Sequence, residues 1–251
     1  MKVSIITVVF NGERTIADAL KSVAAQDYPN IEHIVIDGAS TDETLTVINA
    51  NSAKVATIVS EPDSGIYDAM NKGIELATGD IIGLLNADDV FNDHSVISQV
   101  VEAHLDDHVD ACYADLVYVK ESDLSIVTRY WRSRKYKKGL CFSGWMPAHP
   151  TLYLKRRVYE QVGLYNTGLR YQADLEFCAR AFDLHAISSL YIPKLWVRMR
   201  LGGVTNNSVG SMVKGNWESY LALRKLGLKR GPITYFVIKF GSKLPSFFTR
   251  N

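Results

Sequence analysis

Ile81-Ile82-Gly83-Leu84-Leu85-Asn86-Ala87-Asp88-Asp89 is the stretch whose reading decides the fold. An unbroken apolar run gives way at Asn86 to a polar turn that ends in two adjacent carboxylates. Apolar runs without alternation suit parallel strands covered on both faces. Residues 3–10, 31–36 and 55–59 repeat that pattern upstream. Between them lie helical signals. Ile16, Leu20, Val23 and Ala24 recur at helical spacing before Tyr28-Pro29-Asn30 breaks the pattern. Ser40-Thr41-Asp42 caps a helix carrying Leu45 and Ile48. Asp63-Ser64-Gly65 opens another, with Ile66, Met70, Gly73, Ile74 and Ala77 expected on its inner face and Gly79-Asp80 closing it. This order predicts an α/β fold with a mostly parallel central sheet flanked by helices. Ligands of such sheets sit at the carboxyl ends of the strands. Asn11, Glu13, Asp37, Asp63, Asp88 and Asp89 all fall there.

The second half is less regular. Residues 111–119 and 125–130 read as strands, 143–149 as a loop rich in Gly, Trp and Pro, and 156–162 and 174–182 as helices. No repeat, linker or low-complexity tract interrupts the 251 residues. A net charge of +1 gives no global sign of a nucleic-acid partner. Cys112, Cys141 and Cys178 form no paired or zinc-type spacing and read as free thiols of a reducing compartment. No apolar run reaches the ~18 residues of a spanning helix. Residues 1–10 are read as the first strand and not as a signal segment.

Several clusters can carry chemistry. Asp88 and Asp89 repel each other unless a cation lies between them. Mg2+ or Mn2+ would supply that charge and bridge to a diphosphate; alternatively, the pair caps a helix starting near His94. Asp37 either accepts hydrogen bonds from a base or ribose or simply ends a strand-to-helix turn. Asp68, Asn71 and Lys72 share one helical face, which reads as a solvated, ion-paired surface, while Asp63 and Gly65 crowd the presumed ligand edge. Trp145 and His149, in a Pro-flanked loop, either wall an acceptor pocket or pack within the domain. Arg198 and Arg200 either close over a diphosphate or form a solvated basic strand end.

Taken in order, these segments resemble a known family. Thr7-Val8-Val9-Phe10-Asn11-Gly12-Glu13, Asp37 to Thr44, Asp63 to Gly73, Gly79-Asp80 and Asn86 to Asp89 look like the GT-A fold glycosyltransferases of family 2. The similarity continues through His149-Pro150-Thr151, Gly163-Leu164-Tyr165 and Asp174-Leu175-Glu176-Phe177 to Gly202-Gly203-Val204, covering roughly residues 1–205. The nearest likeness is to bacterial enzymes of O-antigen, capsule or exopolysaccharide synthesis.

The resemblance implies that Thr7, Val9 and Glu13 line the nucleotide pocket, Asp37 binds the base, and Asp63 contacts base or ribose. It implies Asp88 at the ribose or metal, Asp89 as the direct ligand of Mn2+ or Mg2+, and Asp174 as catalytic base. The family's usual Glu-Asp pair is Ala173-Asp174 here, leaving Glu176 as a substitute acid. Gln-x-x-Arg-Trp and membrane helices, typical of processive synthases, are absent from the sequence, which favours transfer of one sugar. The expected division is residues 1–210 as the GT-A domain, with a nucleotide-sugar half (1–90) and an acceptor half (91–210), followed by a basic, aromatic-bearing helical extension (211–251).

The expected activity is inverting transfer from a nucleotide-diphosphate sugar, UDP-linked by family frequency, to a glycan acceptor carried on a polyprenyl diphosphate. After Glu218 no acidic residue follows, while Arg224, Lys225, Lys229, Arg230, Lys239, Lys243 and Arg250 do. Residues 221–248 either lie on an anionic membrane or pack on the domain. The expected location is the cytoplasm, peripheral on the inner face of the cytoplasmic membrane. Two other readings stand beside this one: a binding or assembly protein with a decayed site, supported by Ala173, and a nucleotidyltransferase. The latter lacks its usual Gly-rich basic loop, since Asn11-Gly12-Glu13-Arg14 follows the first strand.

Overall fold

The computed structural model describes residues 1–201 and 209–241. Its first half is the expected alternation. Strand β1 (Val3–Val9) is followed by α1 (Ile16–Ala24), β2 (Ile31–Asp37), α2 (Thr44–Ala50), β3 (Val55–Ser60), α3 (Ile66–Leu76) and β4 (Ile81–Leu84). The order continues through β5 (Asp89–Phe91), α4 (Val96–Ala103), β6 (Ala111–Lys120), β7 (Asp123–Trp131), β8 (Tyr153–Lys155), α5 (Arg156–Val162) and α6 (Ala173–Cys178). Then come a π-helical turn (Ala179–Leu184), β9 (Ser189–Arg200), α7 (Val209–Lys225) and α8 (Pro232–Gly241).

The strands form one sheet in the order β3-β2-β1-β4-β8-β6-β9-β5, with β7 hydrogen-bonded to β6. Strands β1 to β4 pair in parallel; β8 runs antiparallel to both β4 and β6, and β5 antiparallel to β9. Alternation along the strands decides which side chains meet which helices. Ile6, Val8, Ile34, Ile36, Ile82 and Leu84 pack on one face against Met70 and Ile74 of α3, Val158 of α5 and Phe177 of α6. Val3, Ile5 and Ile81 pack on the other face with Val96, Ile97 and Val100 of α4; Val9 and Val35 meet Ile16, Leu20 and Ile48 there.

Four local expectations are corrected. Asp88 and Asp89 do not cap a helix: Asp89 begins β5, and Asp93 Oδ1 instead accepts the Ser95 N–H ahead of α4. Ile66 lies largely exposed and not on the inner face of α3. Asn71 is buried, so it leaves the solvated face assigned to it, while Lys72 pairs with Glu61 at 2.8 Å and lies 4.0 Å from Asp68. Arg198 and Arg200 are not a solvated strand end. Arg198 donates to Asn92 Oδ1 and the Leu124 carbonyl, and Arg200 is 6% exposed. The C-terminal helices pack on the domain, since Tyr220, Leu223, Leu228 and Tyr235 belong to the same cluster as α3 and α6. The Gly202-Gly203-Val204 end of the resemblance and residues 242–248 of the tail lie outside the described residues.

Helix α3 rests on the sheet through Gly73. A Cβ there would overlap Ile6 Cγ2 and crowd Ile36. Gly73→Ala is therefore expected to lower stability by ~1–3 kcal/mol through overpacking, although alanine is favoured in helices by about 1 kcal/mol. Equilibrium urea unfolding measures it; a midpoint that stays or rises would mean that the helix can lift off the sheet without cost.

Candidate active site

The loops after β1 and β2 are laced together. Asn11, at φ 50°, accepts the Thr41 N–H through Oδ1 and donates its own N–H to Ser40 Oγ. Gly12 N donates to Thr44 Oγ1, Glu13 N to Asp42 Oδ2, and Glu43 N to Glu13 Oε2. Asp37, wholly buried, accepts Ser40 N and Oγ and Ser60 Oγ, so it fixes the start of the second loop. The Asp63 carboxylate lies against Gly38, in space that a Cβ would fill, and accepts the Gly65 N–H at the head of α3. Exposed Phe10 stands beside the same glycine. Thr7 is buried within the sheet against His33, Oγ1 to Nε2 at 2.9 Å; burial pushes that imidazole down to about 4 and keeps it neutral.

A cavity of about 410 Å3 opens between these loops and the end of β9. Glu13 and Asp88 bound it, as do Asn11, Arg14, Asp42, Glu121 and Arg200. Thr7, Val9, Asp37 and Asp63 are not among its walls. Arg200 is held in place by the Asp88 carbonyl at 2.9 Å and the Asp18 carboxylate at 2.5 Å.

Behind Asp88, Asp89 is fully buried and neither carboxylate oxygen has a hydrogen-bond partner. Burial drives its pKa well above the usual range and the Asp88 charge adds to this, against the pull of the Arg200 backbone N–H, which lies nearby outside hydrogen-bonding geometry, and of the Arg200 charge. Elsewhere the fold satisfies such groups. At the opposite edge of the sheet Glu32 accepts from Lys2 Nζ, Ser4 Oγ and Thr78 N at 2.6–2.7 Å. Burial raises the Glu32 pKa, yet these bonds outweigh it and hold the group at about 2. An unpartnered buried carboxylate costs several kcal/mol as an ion, so Asp89 requires either a proton or a cation. Among the described residues no group of three or more His, Cys, Asp or Glu side chains could hold a metal by itself. The pair Asp88–Asp89 would suit a hard, oxygen-seeking ion of the Mg2+ or Mn2+ type, which would supply the missing positive charge.

The loop that carries His149 is joined to this edge. His149 Nε2 lies 3.1 Å from Asn86 Nδ2, and burial brings the His149 pKa down to about 4. The amide can only donate, so the neutral ring nitrogen accepts. Trp145 sits edge-on to Tyr113 at 6.0 Å and tilted against Tyr136, partly buried among core residues. The loop before it is fastened by Asp183 of the π-helical turn, which accepts Tyr136 OH, Gly139 N and Phe142 N.

Asp174 stands in the first turn of α6. Burial raises its pKa to about 6; the Leu175 N–H, the Tyr67 hydroxyl and the Lys239 ammonium pull the other way. Tyr67 OH reaches Asp174 Oδ1 at 3.4 Å, and Asn71 exchanges two 2.9 Å bonds with the backbone of Tyr165. Glu176 is no substitute base, because Arg180 holds both its oxygens at 2.9 Å.

Sequence reasoning missed three supports of this side: Asp183, Glu218 and Lys239. Glu218 of α7 accepts the N–H groups of Arg170, Tyr171 and Gln172, fixing the approach to α6. Lys239 of α8 is 3% exposed, donates to Ser219 Oγ at 2.9 Å, and lays its stem where a Cβ at Gly144 would stand. A lysine in a run as apolar as Tyr235-Phe236-Val237-Ile238-Lys239-Phe240 was the available signal.

The sequence model described as glycosyl transferase family 2 matches residues 4–163. A PGL/p-HBAD biosynthesis glycosyltransferase of Mycobacterium bovis is 29% identical over 213 residues, 82% of this chain and 80% of that protein. An uncharacterized glycosyltransferase of Haemophilus influenzae is 26% identical over 252 residues, 95% of this chain and 75% of that protein. Among solved structures, S. aureus TarS in complex with UDP-GlcNAc superposes with a TM-score of 0.70 at 17% identity, covering 95% of this chain and 70% of that one. The mannosyltransferase PcManGT from Pyrobaculum calidifontis, in complex with GDP-Man and Mn2+, gives 0.67 at 18% identity, covering 97% and 69%. These likenesses show the GT-A fold. With its family model spanning more than half of the sequence, the chain belongs to glycosyl transferase family 2.

Proposed function

We propose that the chain is an inverting, metal-assisted glycosyltransferase that moves one sugar from a nucleotide-diphosphate sugar to a hydroxyl of a lipid-linked glycan, in the synthesis of a bacterial surface polysaccharide. UDP is the favoured nucleotide; the solved relatives carry UDP-GlcNAc in one case and GDP-Man in another. The observation that carries the reading is the unpartnered, buried carboxylate of Asp89 behind a cavity at the carboxyl edge of the sheet.

Phe10, Gly38 and Asp63 would receive the nucleoside, with the exposed ring of Phe10 offering a stacking face and Gly38 a close backbone approach. Asp88 and Asp89 would hold the metal ion, which supplies positive charge to the departing diphosphate. Arg200, already fixed on the cavity wall, adds a second positive charge there. On the acceptor side, Asp174 takes the proton of the attacking hydroxyl. The oxygen forms its bond to the anomeric carbon as the bond from that carbon to the diphosphate oxygen breaks, and attack from the opposite face inverts the centre. Only ionised Asp174 can accept that proton. A pKa near 6 places it close to the operating pH, where a general base is most effective.

A binding protein with a decayed site would explain Ala173, but it would leave unexplained why the Tyr67 hydroxyl and the Leu175 N–H are directed at the Asp174 carboxylate.

Two outcomes are expected. A thermal-shift panel of UDP, GDP, dTDP and CMP sugars should show one nucleotide class stabilising the protein with Mn2+, and the effect should vanish with EDTA or in Asp89→Ala. No stabilisation by any nucleotide in a folded sample would overturn the donor assignment. Second, kcat/KM should rise with pH through about 6 and level off above it. Asp174→Asn should lose roughly 10²-fold or more. Lys239→Met, which removes a charge favouring the carboxylate, should move the rising limb to higher pH. A pH profile unchanged in Lys239→Met, with sugar-nucleotide binding intact, would show that this lysine does not act on Asp174.

A further inference from the structure

We infer that the outer face of α7 and α8 docks on an anionic lipid bilayer. This surface stands apart from the donor site; if the transferase reading holds, it also names the phase in which the acceptor lies.

The inner face of the helix pair is committed to the domain through Tyr220, Leu223, Leu228 and Tyr235. The outer face is apolar without cover from described residues. Ile233, Val237 and Phe240, spaced at i, i+4 and i+7 on α8, are 81%, 66% and 50% exposed. Val213, Trp217 and Leu221, at i, i+4 and i+8, form a second exposed stripe on α7 and border an open groove of about 970 Å3. The stripes are continuous, because the Trp217 ring stacks on Phe236 at 6.2 Å and Phe236 on Phe240 at 6.2 Å. Isolated exposed apolar residues need no explanation, but a joined band of this kind marks an interaction surface.

Charge selects the partner. Lys214, Lys225, Lys229 and Arg230 are exposed around the band. The nearby acids are engaged elsewhere, Glu218 by three backbone N–H groups and Glu176 by Arg180. No acidic residue follows Glu218 in the sequence. An apolar stripe with a basic rim and aromatic side chains matches the interface of a membrane bearing acidic headgroups. Among the described residues no helix is long and apolar enough to cross a membrane, so the contact is with the surface. A nucleic acid would use the basic rim but leave the aliphatic stripe in water. The same helices support the candidate base through Glu218, which binds the loop ahead of α6, so docking would set the acceptor side next to the lipid headgroups.

The test is flotation of the full chain with vesicles of phosphatidylcholine alone or with a third of phosphatidylglycerol. Binding to the anionic vesicles only, weakened at high salt, is expected. The double variant Ile233→Gln/Val237→Gln should lower partitioning about tenfold or more, and each neutralisation at Lys225 or Lys229 roughly fivefold. Both variants should keep the wild-type thermal shift with sugar nucleotide, so that loss of membrane binding is separated from failure of the donor site. A full chain that stays unbound at moderate salt overturns the proposal. So does a chain that sediments as a dimer dispersed by Ile233→Gln/Val237→Gln, which would make the band an interface between copies.

Discussion

Everything on the ligand edge depends on how closely α3 lies on the sheet. Gly73 sets that distance by giving Ile6 and Ile36 the room a side chain would take. Only from there can Tyr67, in the first turn of the helix, approach Asp174, and Asn71 bind the backbone at Tyr165. The helix begins at Gly65, where the Asp63 carboxylate both accepts a backbone N–H and fills the space above Gly38. One element of eleven residues therefore registers the loops after β1 and β2 against the turn that carries Asp174.

The electrostatic design of the edge differs from the rest of the fold. Glu32, Asp37 and Asp183 are each saturated with donors, as buried carboxylates normally are. Asp89 is the exception, and Arg200 comes near it without pairing through its side chain, since that guanidinium is spent on Asp18 and the Asp88 carbonyl. The neutral His149 beside Asn86 fits the same scheme, since it adds a hydrogen bond at the turn without adding a charge.

The donor half was legible because its strands are buried on both faces and read as plain apolar runs, punctuated by turn residues at each carboxyl end. Spacing alone could not place Asn71: positions i and i+3 share a face whether that face meets water or another loop, and here it meets Tyr165. Strand β5 escaped because it has three residues and opens on a carboxylate. Strand β9 carries Pro193, Lys194, Arg198 and Arg200, so its twelve residues lack the apolar signature of the others. Asp183, Glu218 and Lys239 act on loops far along the chain or on another element, and no local pattern announces such reach. The expected roles of Asp37 and Thr7 met a further limit. A motif names residues that matter at a ligand edge, but not what each side chain binds: here Asp37 ties down the loop that follows it and Thr7 pairs with the His33 ring.

The antiparallel strand β8 is inserted between β4 and β6, although some seventy residues separate it from β4 in sequence. The boundary drawn near residue 90 between nucleotide and acceptor halves thus crosses one continuous sheet and falls inside β5. A fragment ending there would carry β4 as a naked, apolar edge, a template for pairing with other chains. The two halves are consequently not interchangeable cassettes. Recombination between relatives would have to exchange β8 together with its partners.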